Sequence, residues 1–159
     1  MEYYKENNLD TYINADLPAN WWCDLGIWNS INPPIIRMDK DSRISGEYSL
    51  YTDSRHTTST ATVVSGDIDK RASDFFVTAR PLGTKTSLIN IQLLCKKNNA
   101  KKTLQSLFFV LTPGKDYGIH LKSKEQAGDF DSYLIVLSTK NGYAVFDNVY
   151  ACNFDRETK

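Results

Sequence analysis

The sequence SLINIQLLC, residues Ser87 to Cys95, is a clear indication of the fold class. Polar and apolar positions alternate along it, with Leu88, Asn90 and Gln92 on one side and Ile89, Ile91 and Leu93 on the other. Successive side chains of a β-strand point to opposite faces, so this period of two predicts a strand with one apolar face.

The same period recurs on both sides of that stretch. Further strands are predicted at residues 35–39, 46–52, 57–65, 73–80, 103–111, 117–122, 133–138 and 143–150. Asn98-Asn99, framed by lysines, predicts a hairpin turn, and Asn141-Gly142 is a strong signal for another. No long helical period competes with this pattern. We therefore predict an all-β, jelly-roll β-sandwich of about eight antiparallel strands.

The chain has 159 residues, a length that suits one folded domain. We predict an irregular N-terminal arm and Trp-rich loop over residues 1–34, a β-sandwich over residues 35–152 and a tail over residues 153–159. The arm holds all three tryptophans, Trp21, Trp22 and Trp28.

Charge and composition narrow the range of partners. Lys+Arg and Asp+Glu both number 19, so no global field attracts nucleic acid or an anionic membrane, and neither is predicted as a partner. The one basic run, Lys96, Lys97, Lys101 and Lys102, is interpreted as a solvated turn. The N-terminus has no apolar segment of a secretory signal, and the three cysteines are interpreted as free thiols in a reducing compartment.

Enzyme signatures are missing, and we predict that the protein is not an enzyme. The two histidines do not have the spacing of a zinc site, and His120 is interpreted as a surface residue on the polar face of its strand. Three acidic pairs remain: Asp39/Asp41, Asp67/Asp69 and Asp129/Asp131. Each could hold calcium, act as the acid and base of a glycosidase, or bond to the backbone of a turn. The turn is favoured.

Aromatic residues make up 12% of the chain and are the better candidates for binding. Sugar rings stack their apolar faces on Trp or Tyr, while nearby polar groups bond to the hydroxyls. From this set we predict that the ligand-binding residues are Trp22, Trp28, Tyr51 and Tyr117.

Several short motifs occur in an order that resembles the galactose-binding-like jelly-roll family of carbohydrate-binding modules. They are Asn20-Trp21, Ser45-Gly46-Glu47-Tyr48-Ser49-Leu50, Leu111-Thr112-Pro113-Gly114, the run from Tyr133 to Leu137, and Phe146-Asp147-Asn148-Val149. The resemblance spans roughly residues 20–151. It implies that Tyr117 stands where the family carries an aromatic after the Pro-Gly turn. It also implies a structural calcium site formed by Asp147 and an N-terminal partner, for which Asp10 is the match. No other cofactor is predicted.

The predicted function is that of a non-enzymatic structural or binding module. The main hypothesis is a multi-copy decoration or auxiliary subunit of a virion, in a phage capsid or tail, that is made in the host cytoplasm and docks on other protein subunits. The alternative is a free-standing carbohydrate-binding module that recognises cell-surface glycans through exposed aromatics. A small glycosidase or lyase on the same sandwich is the least favoured.

Overall fold

The computed structural model describes residues 3–5, 16–18, 21–23, 34–56, 60–123 and 129–152. Their regular structure consists of β-strands, which in chain order are β1 (Tyr3–Lys5), β2 (Asp16–Pro18), β3 (Trp22–Cys23), β4 (Ile35–Asp39), β5 (Ser49–Asp53), β6 (Ala61–Val64), β7 (Ile68–Asp69), β8 (Asp74–Pro81), β9 (Ser87–Lys97), β10 (Ala100–Leu111), β11 (Tyr117–Lys122), β12 (Ser132–Lys140) and β13 (Tyr143–Cys152). Within the described ranges no helix is long and apolar enough to cross a membrane.

The strands form two main antiparallel sheets. The six-stranded sheet has the order β10-β9-β12-β6-β3, with β7 paired beside β12, and the five-stranded sheet has the order β11-β8-β13-β5-β4. Strands β1 and β2 pair with each other. The predicted all-β jelly-roll sandwich is confirmed.

The core lies between the two sheets, and β9 shows how the alternating sequence builds it. Ile89, Ile91 and Leu93 are buried in the core, whereas Asn90 and Gln92 are only half-buried. Each fully buried aliphatic side chain contributes about 1.5–3 kcal/mol to folding. The period of two read along residues 87–95 therefore fixes which face of the six-stranded sheet meets the core.

Two aromatic rings hold one end of the sandwich together. Tyr133 of β12 packs edge-on against Phe75 of β8, with ring centroids 5.0 Å apart. The Tyr133 hydroxyl lies 2.6 Å from the hydroxyl of Ser123, so its buried polar atom is hydrogen-bonded. Thr52 and Thr139 form a second hydrogen bond between the sheets.

Both predicted hairpin turns are present. Asn98 and Asn99 have φ of 50° and 67°, the left-handed values that a two-residue turn between twisted strands requires. Asn141 has φ of 57° between β12 and β13. Gly142 follows it because a Cβ at that position would collide with Ser87.

The first 34 residues contain more strand than the predicted irregular arm. Residues 3–5 and 16–18 pair with each other, and residues 22–23 pair with Val63 and Val64. Strand β3 thereby satisfies backbone groups of β6 that would otherwise lie at a sheet edge. Composition did not indicate these strands because two or three residues are too few to show a period. The predicted tail over residues 153–159 lies outside the described residues.

Candidate functional site

The outer face of the five-stranded sheet carries the richest set of polar and aromatic side chains. Alternate residues of its strands enter the core, among them Phe75 and Val77 of β8 and Ile119 and Leu121 of β11. The residues between them must point outward, away from the six-stranded sheet. Strand pairing then aligns these outward residues in rows across the sheet.

One of these rows is a stack of three rings, which we call the aromatic stack: His120, Phe76 and Tyr150. The imidazole of His120 lies 4.6 Å from the Phe76 ring and within 2° of parallel. The Tyr150 ring lies 4.8 Å from Phe76 on its other side, at 19°. These spacings match the distance between neighbouring strands, so the rings stand side by side on β11, β8 and β13.

The outer ring of the stack is exposed to solvent. Tyr150 is 54% exposed, one of the few large hydrophobic side chains left open among the described residues. A β-bulge produces this position, because three steps from Asp147 to Tyr150 face two steps from Thr78 to Phe76. Beyond Tyr150, β13 has no partner on that side among the described strands, since β5 pairs only with Tyr143 to Phe146. Within the described part of the sheet, one face of the Tyr150 ring is thus left without a stacking neighbour.

A buried carboxylate holds the other end of the stack. His120 Nε2 donates to Asp74 Oδ1 at 2.7 Å, and Ser73 donates to Asp74 Oδ2 at 2.6 Å. Burial by itself would raise the pKa of Asp74, but these hydrogen bonds outweigh it, and its pKa lies below the ordinary value. The ionised carboxylate therefore fixes the plane of the imidazole against Phe76.

We call the strip of the outer face between the aromatic stack and Arg80 the groove. Its floor is the next row of the sheet, Gly118, Thr78 and Asp147, where a Cβ added to Gly118 would meet no atom within 4 Å. Its far wall is Arg80, which holds Asp116 through a hydrogen bond of 3.0 Å from Nη2. Arg80 lies four residues after Phe76 along β8, which places the two walls about 13 Å apart. A pyranose ring fits this width.

Tyr51, predicted to bind ligand, lies on the same outer face but is covered. It is only 7% exposed, because the Arg37 guanidinium lies 4.1 Å above its ring. Its hydroxyl donates to Asp53 at 2.9 Å, and burial together with that carboxylate raises the pKa of Tyr51 to about 12. Arg55 binds the same carboxylate and lies 3.4 Å from the centre of the Tyr143 ring. One ring face of each of these two tyrosines is covered by an arginine of the protein itself.

Of the other three predicted ligand-binding residues, only Tyr117 has a described side chain, and it faces away from Tyr51. Tyr117 is on the core side of β11 with Ile119, and its hydroxyl donates to the Thr112 carbonyl at 3.4 Å. The backbone of Trp22 is in β3 of the other sheet, and its side chain is not among the described ones. Trp28 lies outside the described residues.

The calcium site implied by the resemblance stays a prediction. Asp10 lies outside the described residues, and among those described no three metal-binding side chains cluster. Asp147 Oδ2 accepts hydrogen bonds from Ser49 Oγ at 2.7 Å and from Ser45 N at 3.2 Å, while Oδ1 accepts from Asn148 N. N–H groups donate hydrogen bonds and cannot coordinate calcium, so these partners do not form a calcium ligand set. They attach the β4–β5 loop to β13.

The acidic pairs form bonds typical of turns. Asp39 accepts from the Ser42 backbone N–H at 3.0 Å, and Asp69 accepts from that of Arg71 at 2.8 Å. Asp131 accepts from the backbone N–H of Asn98 at 2.9 Å. The bonds of Asp39 and Asp69 are the local side-chain-to-backbone bonds for which Asp is favoured in turns, whereas that of Asp131 reaches across to the β9–β10 turn.

A polar cavity of about 650 Å³ lies at the end of the sandwich near Asp67, Lys96 and Asp131. Lys96 Nζ lies 2.6 Å from Asp67 Oδ1, and Ser132 donates to the same oxygen at 3.2 Å. Asp67 and Asp69 of the cavity are thus paired with Lys96 and Arg71, and the lining includes no aromatic side chain. The groove beside the aromatic stack is the stronger candidate.

Sequence reasoning missed the residues of the stack, although the signal was present. The alternation in β11 placed His120 on the polar face, and the structure shows it exposed there. The sequence does not distinguish Phe76 and Tyr150 from other strand residues, because their contact depends on β8 lying between β11 and β13. No local sequence motif indicates that strand order. The bulge before Tyr150 also shifts this residue out of the period of two along β13.

No protein-family model matches the chain, and no curated protein sequence matches it. Solved structures, in contrast, do match the chain. The CBM22-1 and GH10 modules of endo-1,4-β-D-xylanase 10B from Clostridium thermocellum, complexed with xylohexaose, align with a TM-score of 0.60 at 16% identity. That alignment covers 86% of this chain and 26% of the other, so the chain spans about a quarter of that relative.

Two further structures show the range of the fold. The family 11 carbohydrate-binding module of C. thermocellum, in complex with a β-1,3-1,4-mixed-linked tetrasaccharide, has a TM-score of 0.53 at 14% identity and covers 85% and 89% of the two chains. The enzymatically active domain of bacteriophage CBA120 tailspike protein 4 has a TM-score of 0.56 at 12% identity and covers 84% of this chain and 19% of that one. At these identities the likeness establishes the β-sandwich fold, which this chain shares with carbohydrate-binding modules.

Proposed function

We propose that this protein is a non-catalytic carbohydrate-binding module that holds a glycan in the groove beside the aromatic stack. The observation that carries the proposal is the stack itself, with Tyr150 exposed at its end and Gly118 leaving the groove floor open. Apolar sugar faces pack on aromatic rings, while the hydroxyls bond to the surrounding polar groups. Thr78, Arg80 and Asp116 supply those polar groups here.

The ionisation of the groove carboxyls supports binding rather than hydrolysis. A glycosidase needs one carboxyl group whose pKa is raised so that it can act as an acid. The hydrogen bond from Arg80 lowers the pKa of Asp116, and the pKa of Asp74 is lowered as described above. Among the described carboxyl groups, every resolved pKa shift is downward.

The alternative in the sequence prediction, a free-standing carbohydrate-binding module, is thus better supported than its main hypothesis. Similarity to a phage tailspike domain is the observation that bears on a virion role, and it concerns the fold alone. Placement in a virion, other protein subunits as partners and synthesis in a host cytoplasm stay predictions. The proposed groove does not depend on them.

The first test is calorimetric titration of the full chain with xylohexaose, the β-1,3-1,4-mixed-linked tetrasaccharide and β-1,4-galactotriose. We expect at least one of them to bind, and Tyr150→Ala to weaken that binding about tenfold, the usual cost of removing an aromatic anchor. Tyr150→Phe keeps the ring and is the matched control, with affinity close to that of the wild type.

A second variant tests the groove by filling the open space above its floor at Gly118. Gly118→Trp fills space that is open in the structure, at a strand position whose φ lies outside the left-handed region, so the fold should tolerate it. We expect it to abolish binding with an unchanged melting temperature. Full binding by both Gly118→Trp and Tyr150→Ala would refute the groove as the site.

A further inference from the structure

A second open aromatic surface lies on the opposite side of the molecule. Among the described residues the exposed large hydrophobic side chains are Tyr150 and two residues of the edge strand β10: Phe108, 67% exposed, and Val110, 70% exposed. Their neighbours Leu107 and Phe109 pack against the core, so Phe108 and Val110 point away from it. We call this outer face of the β9–β10 hairpin the hairpin face.

A hydrogen-bonded group of uncharged side chains lies next to Phe108. Asn90 pairs with Phe108 across the two strands, and its amide nitrogen donates to Ser106 Oγ and to the Leu107 carbonyl, both at 3.0 Å. The amide nitrogen of Gln92 donates to the same Ser106 oxygen at 3.3 Å. Ser106 therefore accepts two bonds and must direct its own proton elsewhere, towards solvent or a ligand.

The hairpin face is small, and its cross-strand pairs Asn90–Phe108 and Gln92–Ser106 carry no charged side chain. The next strand inward contributes Ser138, which is 7% exposed and lies 3.0 Å from Thr62, so the accessible part is confined to β9 and β10. The amide oxygens of Asn90 and Gln92 are available as acceptors beside the Ser106 donor. An exposed ring next to fixed amide and hydroxyl groups, with no ionised side chain between them, matches the surface of a neutral sugar.

We propose that the hairpin face is a second binding site, for a neutral saccharide, with Phe108 as the stacking residue and Asn90, Gln92 and Ser106 as hydrogen-bonding partners. The choice of a saccharide rests on the proposed function, but the site does not share a residue with the groove. The two sites lie on the outer faces of sheets packed about 10 Å apart, with their side chains pointing in opposite directions. One protein molecule then holds two separate glycan chains and can cross-link them.

The test is calorimetric titration of the full chain with the same three oligosaccharides, using Phe108→Ala, Tyr150→Ala and the double variant. We expect two classes of site, of which Phe108→Ala weakens one about tenfold and leaves the other unchanged. Phe108→Tyr keeps the ring and should bind as the wild type does. Because Phe108 is exposed, the fold tolerates either change, and the melting temperature checks this.

The outcomes separate this site from the groove. If Phe108→Ala removes binding while the groove variants do not, the hairpin face is a site and the groove proposal fails. If Phe108→Ala changes binding of none of the three probes, the second site is refuted. It is also refuted if sedimentation shows a dimer that Phe108→Ala converts to monomer without changing sugar binding, because the hairpin face is then a contact between copies of the chain.

Discussion

At the scale of single residues, Asp53 shows how the outer face of the five-stranded sheet is held rigid. Its carboxylate is 3% exposed and receives hydrogen bonds from Tyr51 at 2.9 Å and from Arg55 at 2.8 Å. Burial alone would raise the pKa of Asp53, but the bonds from Arg55 and Tyr51 outweigh it and hold the pKa below its ordinary value of 3.8. The carboxylate therefore stabilises the fold in its ionised form.

Replacing this carboxylate should make stability less dependent on pH. Because the pKa is lowered in the folded protein, the contribution of Asp53 is fully present above the unfolded value and is lost as the pH falls through the folded value. We expect Asp53→Asn to lower the free energy of unfolding by about 2 kcal/mol at pH 7, and the deficit to shrink below about pH 4.

Urea unfolding at pH 7, 5 and 3 measures this difference. Asp41→Asn is the control, since Asp41 is an exposed residue of the β4–β5 loop. A deficit for Asp53→Asn that is the same at all three pH values would show that ionisation of Asp53 does not contribute.

Residue-level prediction from sequence succeeded where the period of two was unbroken. It put His120 on the outer face of β11, and by the same alternation Tyr117 belongs with Ile119 and Leu121 on the core side. The prediction that Tyr117 binds ligand came from its being aromatic and from the resemblance, not from this alternation. The sequence does not indicate that Arg37 covers the Tyr51 ring, because Arg37 comes from a neighbouring strand whose pairing the sequence does not specify.

At the scale of elements, the β12–β13 hairpin shows why a turn motif can be predicted more securely than strand ends. Asn141-Gly142 marks the turn, and the structure places it between Lys140 and Tyr143 as predicted. Strand β9 continues to Lys97 and β10 begins at Ala100, beyond the predicted ends, because the Asn98-Asn99 turn needs only two residues. Polar residues near a hairpin tip can pair in the ladder without showing an apolar period.

Gly142 has a packing role that the turn alone does not require. A Cβ there would collide with Ser87 at the start of β9, so Gly142→Ala should destabilise the protein by about 1–3 kcal/mol, the usual cost of overpacking. Gly118→Ala is the matched control: its Cβ meets open space, and we expect no loss of stability. Thermal unfolding of both variants checks this, and equal melting temperatures would contradict the packing argument.

At the scale of the whole molecule, the sequence predicted the fold class and most of the strands but not the order of strands in each sheet. Pairing of β8 between β11 and β13 is a long-range choice, and it alone brings Phe76 between His120 and Tyr150. The same topology places Phe108 on the far side of the sandwich. Both proposed sites therefore depend on the tertiary arrangement, which composition and local motifs do not encode.

The outer face of the five-stranded sheet is proposed to bind a glycan beside the aromatic stack. The most direct test of this proposal is chemical-shift mapping by NMR of the isotopically labelled full chain, titrated with each of the three oligosaccharides. We expect at least one of them to perturb backbone amides around Phe76, Gly118 and Tyr150. No perturbation by any of the three, or perturbation confined to the six-stranded sheet, would contradict it.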